Sequence, residues 1–282
     1  MTPAQNIDVR IEKPVAADAL PIVVDSPHSG TAYPEDFGAA LPRQLLRQSE
    51  DTRVDRLWGD VPRQGATLVA AGFPRCYIDP NRSLDDIDQA LLDVPWPGPV
   101  VASRKTELGI GLVWRLLAGQ AVYARKLSVA EVQNRIERCW RPYHAALAAV
   151  LDAAGAGGRP RWHLNVHSMP DDSYRRLGLP EQPLADFVLG NLDGSSSDAA
   201  TLDLLETALR GHGYSVARND PFKGVEIVRA SGDPARGRHA VQIEVKRSLY
   251  MDADLQPNAG FERVRAAAGA ALAALAAHAR SA

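Results

Sequence analysis

The chain is predicted to be an α/β protein of three layers, α-β-α, built around a mostly parallel mixed central sheet. Two observations predict this. Short apolar runs, bounded by turn residues and rich in β-branched side chains, alternate along the sequence with amphipathic stretches of helical period. Such alternation is satisfied by a sheet with helices on both of its faces. A chain of 282 residues also suits one such unit with a large core, so residues 1–282 are expected to form a single domain.

In chain order, the first strand run is LPIVVDSP (20–27). A helix is expected over about 41–63, followed by two more strand runs, GATLVAAGF (65–73) and RCYIDP (75–80). A second helix is expected over about 128–154. DAAGAGGRP (152–160) then reads as a flexible loop rather than a domain linker, because a strand of the same pattern, WHLNVHS (162–168), follows at once. DFVLGN (186–191) is the next strand run, a helix is expected over about 198–212, and GYSVARND (213–220), VEIVRA (225–230) and HAVQIEV (239–245) close the strand series. A last helix is expected over about 258–280, and no internal repeat is visible.

With 32 Lys+Arg against 34 Asp+Glu the formal charge is −2, too weak a field to recruit nucleic acid or an anionic membrane. The N-terminal MTPAQNIDVRIEKPVAADALP has no basic segment leading into an apolar one, so no signal peptide is expected. No apolar run is long enough to span a bilayer, since the alanine-rich tail is broken by His278 and Arg280. Cys76 and Cys139 lie far apart without a partner motif and read as small buried residues of a reducing compartment. A soluble, cytoplasmic protein is expected. Its oligomeric state is not legible.

WHLNVHSMPDD (162–172) raises the question of chemistry, because His163 and His167 stand four residues apart. The run is short, alternating, and preceded by a Gly-rich loop, so it reads as a strand. Residues four apart on a strand share a face but lie about 13 Å from each other, too far to share one metal. His167, at the carboxyl end where α/β sheets build their sites, is the functional candidate, and His163 reads as a hydrogen-bonded or packing residue.

Other strand ends are polar in the same way. IVVDSPHSG ends in His28, CYIDPNRS in Asp79, Asn81 and Arg82, and VQIEVKRS carries Glu244. Imidazoles, carboxylates and an arginine brought together suit a hydrolytic metal site. Each residue also has an ordinary reading: His28 as a turn or capping histidine, and Asp79 as an Asx-turn residue. Glu244, between Ile243 and Val245, is costly to bury unless it meets a metal, acts as a base, or pairs with Lys246 or Arg247. No Gly-x-Ser-x-Gly elbow is present, which argues against a serine hydrolase.

The stretches SPHSG, YIDPNR, WRPYHAAL, NVHSMP, FKG with EIVR, and HAVQIEV with LYMD occur in order between about residues 20 and 255. Together they resemble the N-formylglutamate amidohydrolase (N-formylglutamate deformylase) family of histidine catabolism. That family is distantly similar to zinc carboxypeptidases and aspartoacylases, so the resemblance implies a phosphorylase/hydrolase-like, zinc carboxypeptidase-like fold. NVHS resembles the strand with their third zinc ligand, DPNR their Asp-x-Asn-Arg segment, and IEV the strand with their catalytic glutamate.

The resemblance implies one zinc per chain, held by His28 and His167, with Glu244 as general base. Asn81 and Arg82 would grip a substrate carboxylate, and Asp79 would orient His28. The second ligand departs from the carboxypeptidase His-x-x-Glu pattern, because Thr31 stands where the glutamate is expected. The family pattern instead puts an aspartate at the start of a following helix, which falls on Asp51 in SEDTRVDRLW, with Glu50 and Asp55 as competitors. The implied reaction is hydrolysis of N-formyl-L-glutamate to formate and L-glutamate.

A dicarboxylate substrate needs two cations. Arg82 is the first candidate, and Lys223 and Arg229 are candidates for the second, against a reading of both as solvated surface charge. Arg104 and Arg115 are possible oxyanion partners. LGNLDGSSSD could lend backbone N–H groups to an anion, though an N-cap explains Ser197 and Asp198 as well. Trp140, Tyr143 and His144 read as packing residues. The alternatives are a zinc deacylase or carboxypeptidase-like hydrolase acting on another N-acyl amino acid or short peptide, and a metal-free ligand-binding protein on the same scaffold.

Overall fold

The computed structural model describes residues 7–15 and 19–282, so the N-terminal stretch read as lacking a signal peptide lies partly outside the described residues. The chain divides into two compact units, one drawn from Met1–Arg10, Pro27–Thr52 and Ala70–Ala148, the other from Ile11–Ser26, Arg53–Val69 and Ala149–Ala282.

The second unit is built on a sheet. Its strands are β1 (Arg10–Glu12), β2 (Ile22–Ser26), β3 (Thr67–Ala70), β6 (Arg161–Met169), β7 (Phe187–Gly190), β8 (Val216–Arg218) and β9 (Arg238–Lys246), in the order β1-β3-β2-β6-β9-β7-β8. The remaining two, β4 (Leu116–Leu117) and β5 (Gln120–Ala121), make a small antiparallel pair in the first unit. β2, β6 and β9 run parallel, β7 is antiparallel to β9, and β8 is parallel to β7. The sheet is therefore mostly parallel and mixed, as the alternation predicts.

Period-2 alternation divides its two faces. Ile22 and Val24 of β2, Trp162, Leu164 and Val166 of β6, and Val241, Ile243 and Val245 of β9 point to one side. There they form one core with Val54 and Leu57, with Leu202, Leu205 and Leu209 of the helix Ala199–Gly211, and with Val264 and Leu272 of the helix Phe261–Ser281. The opposite face carries Asp25, His163, Asn165, His167, Gln242 and Glu244, all buried, and the helix Glu226–Ser231 packs on it. Helices thus cover both faces.

Three long helices match expectation. Val129–Ala154 opens on a capping box in which Ser128 and Glu131 satisfy each other's backbone N–H, and it contains a π-helical turn over Ile136–Trp140. Asp198 caps Ala199–Gly211 by accepting from Thr201 N at 3.0 Å, which is the plain N-cap reading of that loop.

Three expected elements are corrected. The helix expected over 41–63 is a series of single turns, Arg43–Leu46, Arg47–Ser49, Val54–Leu57 and Pro62–Gln64. Glu50 is extended (ψ 147°) and Arg53 is left-handed (φ 63°), so the chain leaves helical geometry where Asp51 N donates to His28 O at 3.0 Å. RCYIDP is not a strand. It lies between Pro74 and Pro80, which lack the N–H a ladder needs, and Asp79 N donates to Leu112 O at 2.8 Å. VEIVRA forms the helix Glu226–Ser231, because its Ile227, Val228 and Ser231 are drawn onto the sheet, overriding their β-propensity.

In the first unit Arg135 is buried among the rings of Phe37, Tyr77 and Tyr123 and donates to Tyr77 O (3.0 Å), Tyr123 Oη (2.6 Å) and Phe37 O (3.2 Å). Cys76 and Cys139 are free and buried as expected, and burial pushes each thiol up to about 12. No helix among the described residues is long and apolar enough to cross a membrane.

Candidate functional site

In the first unit the sequence-predicted residues gather around His28. The SPHSG turn lies against the 72–73 backbone, where Ala32 N donates to Gly72 O at 3.0 Å. A Cβ on Gly30 would sit 2.2 Å from Phe73 O, so only glycine fits there. His28 Nε2 donates to Asp79 Oδ1 at 2.7 Å, while Nδ1 lies 3.3 Å from Asp51 Oδ2. Asp79 is the residue to which the resemblance gives the role of orienting His28.

Burial would raise the Asp79 pKa, but the charges of Arg75, Arg82 and His28 outweigh it and hold the carboxyl well below the usual carboxylate range. Asp79 is therefore an acceptor, so His28 Nε2 carries the hydrogen and Nδ1 faces the Asp51 oxygen. Two electron-rich atoms so placed suit a cation.

Glu50 is otherwise engaged. Its carboxylate accepts from Tyr33 Oη (2.8 Å), Thr52 Oγ1 (3.2 Å) and Arg47 Nε (3.3 Å), and burial raises its pKa. Asp55 is half-buried in the turn Val54–Leu57 of the other unit.

Asn81 and Arg82 follow Asp79 directly. Asn81 N donates to Asp79 Oδ1 at 2.9 Å, and the buried Arg82 donates to Asn81 O (2.8 Å) and Ile110 O (3.2 Å), with Nη2 3.6 Å from Asp79. Burial, as the largest cause, lowers the Arg82 pKa. Trp140 and His144, expected as packing, stack at 3.7 Å and do more than fill space. Trp140 Nε1 donates to Arg82 O at 3.0 Å and His144 Nε2 to Pro80 O at 2.8 Å, bracing this segment from the helix.

Arg75 escapes sequence reasoning although it is a chief partner of Asp79, through Nε at 3.1 Å and Nη2 at 2.9 Å. Its position four residues before Asp79 was the available signal.

In the second unit, β6 and β9 bring His167 and Glu244 together. The two are register partners on the polar face of neighbouring strands. Each is held by the amide side chain two residues earlier on its own strand: Asn165 Oδ1 lies 2.7 Å from His167 Nε2, and Gln242 Nε2 donates to Glu244 Oε1 at 2.9 Å. Both amides were missed. Their signal was a polar residue at every second position of an apolar run. Of the ion-pair partners weighed for Glu244, Lys246 pairs with Asp186 at 3.1 Å, and Arg247 Nε donates to Ser168 Oγ at 3.2 Å. His163 is hydrogen-bonded in the core as expected.

Lys223 and Arg229 are exposed and locally paired, with Asp193 and Glu226 respectively, each at 2.7 Å. Arg104 pairs with Glu107 at 2.7 Å and Arg115 with Asp88 at 2.6 Å.

A family profile described as N-formylglutamate amidohydrolase matches residues 20–251. The chain is 31% identical over 240 residues to an N-formylglutamate deformylase of Pseudomonas putida, covering 83% of the chain and 82% of the relative. It is 29% identical to one of Pseudomonas aeruginosa over 83% of each. A crystal structure of an N-formylglutamate amidohydrolase from Ralstonia eutropha superimposes with a TM-score of 0.95 at 48% identity, covering 98% of this chain and 99% of that one.

Proposed function

The chain belongs to the N-formylglutamate amidohydrolase family, and on that premise we propose that it hydrolyses N-formyl-L-glutamate to formate and L-glutamate with the aid of zinc. The observation that carries the chemistry is the pairing of a buried histidine, His167, with a buried carboxylate, Glu244, on adjacent strand ends.

The donor set fits a zinc ion. His28, Asp51 and His167 are each buried and each offers one nitrogen or carboxylate oxygen, the ligand number and types of catalytic zinc. His28 follows the carboxyl end of β2 by two residues, and β2 is the parallel neighbour of β6, which carries His167. Glu50 is a weaker candidate than Asp51 because Tyr33, Arg47 and Thr52 occupy it. When bound, zinc supplies Lewis acidity and lowers the pKa of a bound water toward about 7.

The chain's own residues do the rest. Glu244 takes the proton of the attacking water and returns it to the departing amine, held in orientation by Gln242. Asp79 keeps the His28 ring turned with Nδ1 toward Asp51. Asn81 and Arg82 receive one substrate carboxylate, and Lys223 or Arg229 the other, after release from its surface partner. We read residues 1–282 as one amidohydrolase domain, because the matched stretch 20–251 runs through both units. A cytoplasmic setting accords with two free, buried cysteines.

The reading is tested by elemental analysis and turnover on the same preparation. About one zinc per chain is expected, with loss of activity on chelation and recovery on zinc addition. N-formylglutamate should exceed N-formylglutamine in kcat/KM by roughly 30- to 150-fold, the equivalent of about 2–3 kcal/mol for a cation left unmatched in the complex. Full activity in a strong chelator rejects the metal. Equal rates on the two substrates reject the two-cation pocket and leave the chemistry standing.

A further inference from the structure

A chain of buried polar groups lies behind His167, and neither hydrolysis nor core packing accounts for it. Asn165 Nδ2 donates to Asp25 Oδ1 at 2.9 Å, and Asn165 Oδ1 faces His167 Nε2 at 2.7 Å. The same Asp25 oxygen lies 2.7 Å from His163 Nε2, whose ring reaches Ser231 Oγ through Nδ1 at 2.8 Å. Ser231 in turn donates to Ile227 O at 2.8 Å, anchoring the series on the helix that covers this face. Asp25 and Asn165 are 0% exposed and His163 1%.

Two arguments give this arrangement a direction. A carboxylate oxygen accepts and does not donate, so the Asn165 amide must turn its NH2 to Asp25 and its carbonyl oxygen to His167. That oxygen then requires a hydrogen on His167 Nε2. In a neutral imidazole the lone pair consequently sits on Nδ1, the same nitrogen that His28 turns toward Asp51. The second argument is cost. Burying a carboxylate, an amide and an imidazole is unfavourable unless each bond is made, and apolar residues would fill the layer more cheaply, as Val23 does beside them. Groups buried at such cost but aimed at one ring point to a role in setting that ring.

We propose that Asp25, His163 and Asn165 are positioning residues that lock His167 as the Nε2–H tautomer and so select Nδ1 as its metal-binding nitrogen. The tautomer follows from the hydrogen bonds alone. The metal half rests on the zinc reading above.

The test has two independent arms. Long-range proton–nitrogen spectra of the ¹⁵N-histidine-labelled wild-type protein, free of metal and at a pH where the ring is neutral, should show His167 with its hydrogen on Nε2. An Nδ1–H tautomer there overturns the proposal, whatever any variant does. In the second arm, zinc affinity is measured by competition with a chromophoric chelator for the wild type and for Asn165→Ala, with circular dichroism as the check on folding. Zinc should bind the variant about 10- to 100-fold more weakly, and its His167 signals should show mixed tautomers. Equal zinc affinity in the two proteins overturns the metal half. Absence of zinc binding by the wild type overturns the zinc reading and that half with it, and the tautomer still decides the remainder. Should Asn165→Ala not fold, Asp25→Asn serves, because the charge that orients the amide is removed with little change of shape.

Discussion

The two faces of β6 and β9 are equally dry and chemically opposite. Trp162, Leu164 and Val166 are at most 2% exposed on one face of β6, while His163, Asn165 and His167 are at most 3% exposed on the other. Burial therefore does not distinguish core from site. What differs is how each face is satisfied: dispersion and loss of apolar surface against three helical segments on one side, and directed hydrogen bonds on the other. A strand alternates side every residue, so adjacent positions can answer to different selection, one for stability and the next for chemistry.

The comparison is sharpened most by Glu244→Gln. This change keeps shape but removes the proposed base, and kcat should fall at least about 10²-fold while the metal content and melting temperature stay near wild type. Loss of metal instead would make Glu244 a ligand, and near-normal kcat would make it structural. The neighbouring face should answer in the opposite way. Leu164→Ala, which opens a cavity among Val24, Val241 and the helices, should lower unfolding free energy by about 2–5 kcal/mol in denaturant titration. The kcat of the molecules that remain folded should hold within a few-fold. A large drop in kcat without loss of stability would break the division between faces.

The smallest effect belongs to the surface. Lys223→Ala and Arg229→Ala each remove one exposed ion pair and should shift stability by less than about 1 kcal/mol. A rise in KM for N-formylglutamate in one of them would identify the second carboxylate partner, and unchanged KM in both would remove these residues from the pocket.

The strands that carry these faces were legible because their signal is local. β2 and β9 are rich in β-branched residues, β6 and β7 are short apolar runs, and all four are closed by turns. VEIVRA has the same local signal and folds as a helix, because Ile227 and Ser231, four apart, both face the sheet. The span 41–63 has helical composition, yet it must break at Glu50 so that the Asp51 backbone can meet His28. Among the site residues, His28, Asp79, His167 and Glu244 stood out as polar groups ending apolar runs. The bond from His28 to Asp79 spans 51 positions and was offered by the resemblance alone, while the one from Asn165 to Asp25 spans 140 and became visible only in three dimensions.

The π turn at Ile136–Trp140 sets a phase. Upstream of it Arg135 holds Tyr77 O. Trp140, its last residue, and His144 beyond it hold Arg82 O and Pro80 O, so one helix grips both ends of a six-residue segment that contains Asp79. Each residue of an α-helix advances about 100° around the axis, and a π turn absorbs one residue more than the regular pitch allows. Deleting a single residue between 136 and 140 should restore an unbroken α-helix and leave Arg135 in place. Trp140 and His144 would keep their phase and go on holding the same carbonyls, because the extra residue is the one the turn takes up. At this point in the chain the helix carries one residue more than its pitch requires without losing the phase that lets it hold Tyr77 O, Arg82 O and Pro80 O together, and the deletion should leave the helix more regular and the segment still braced.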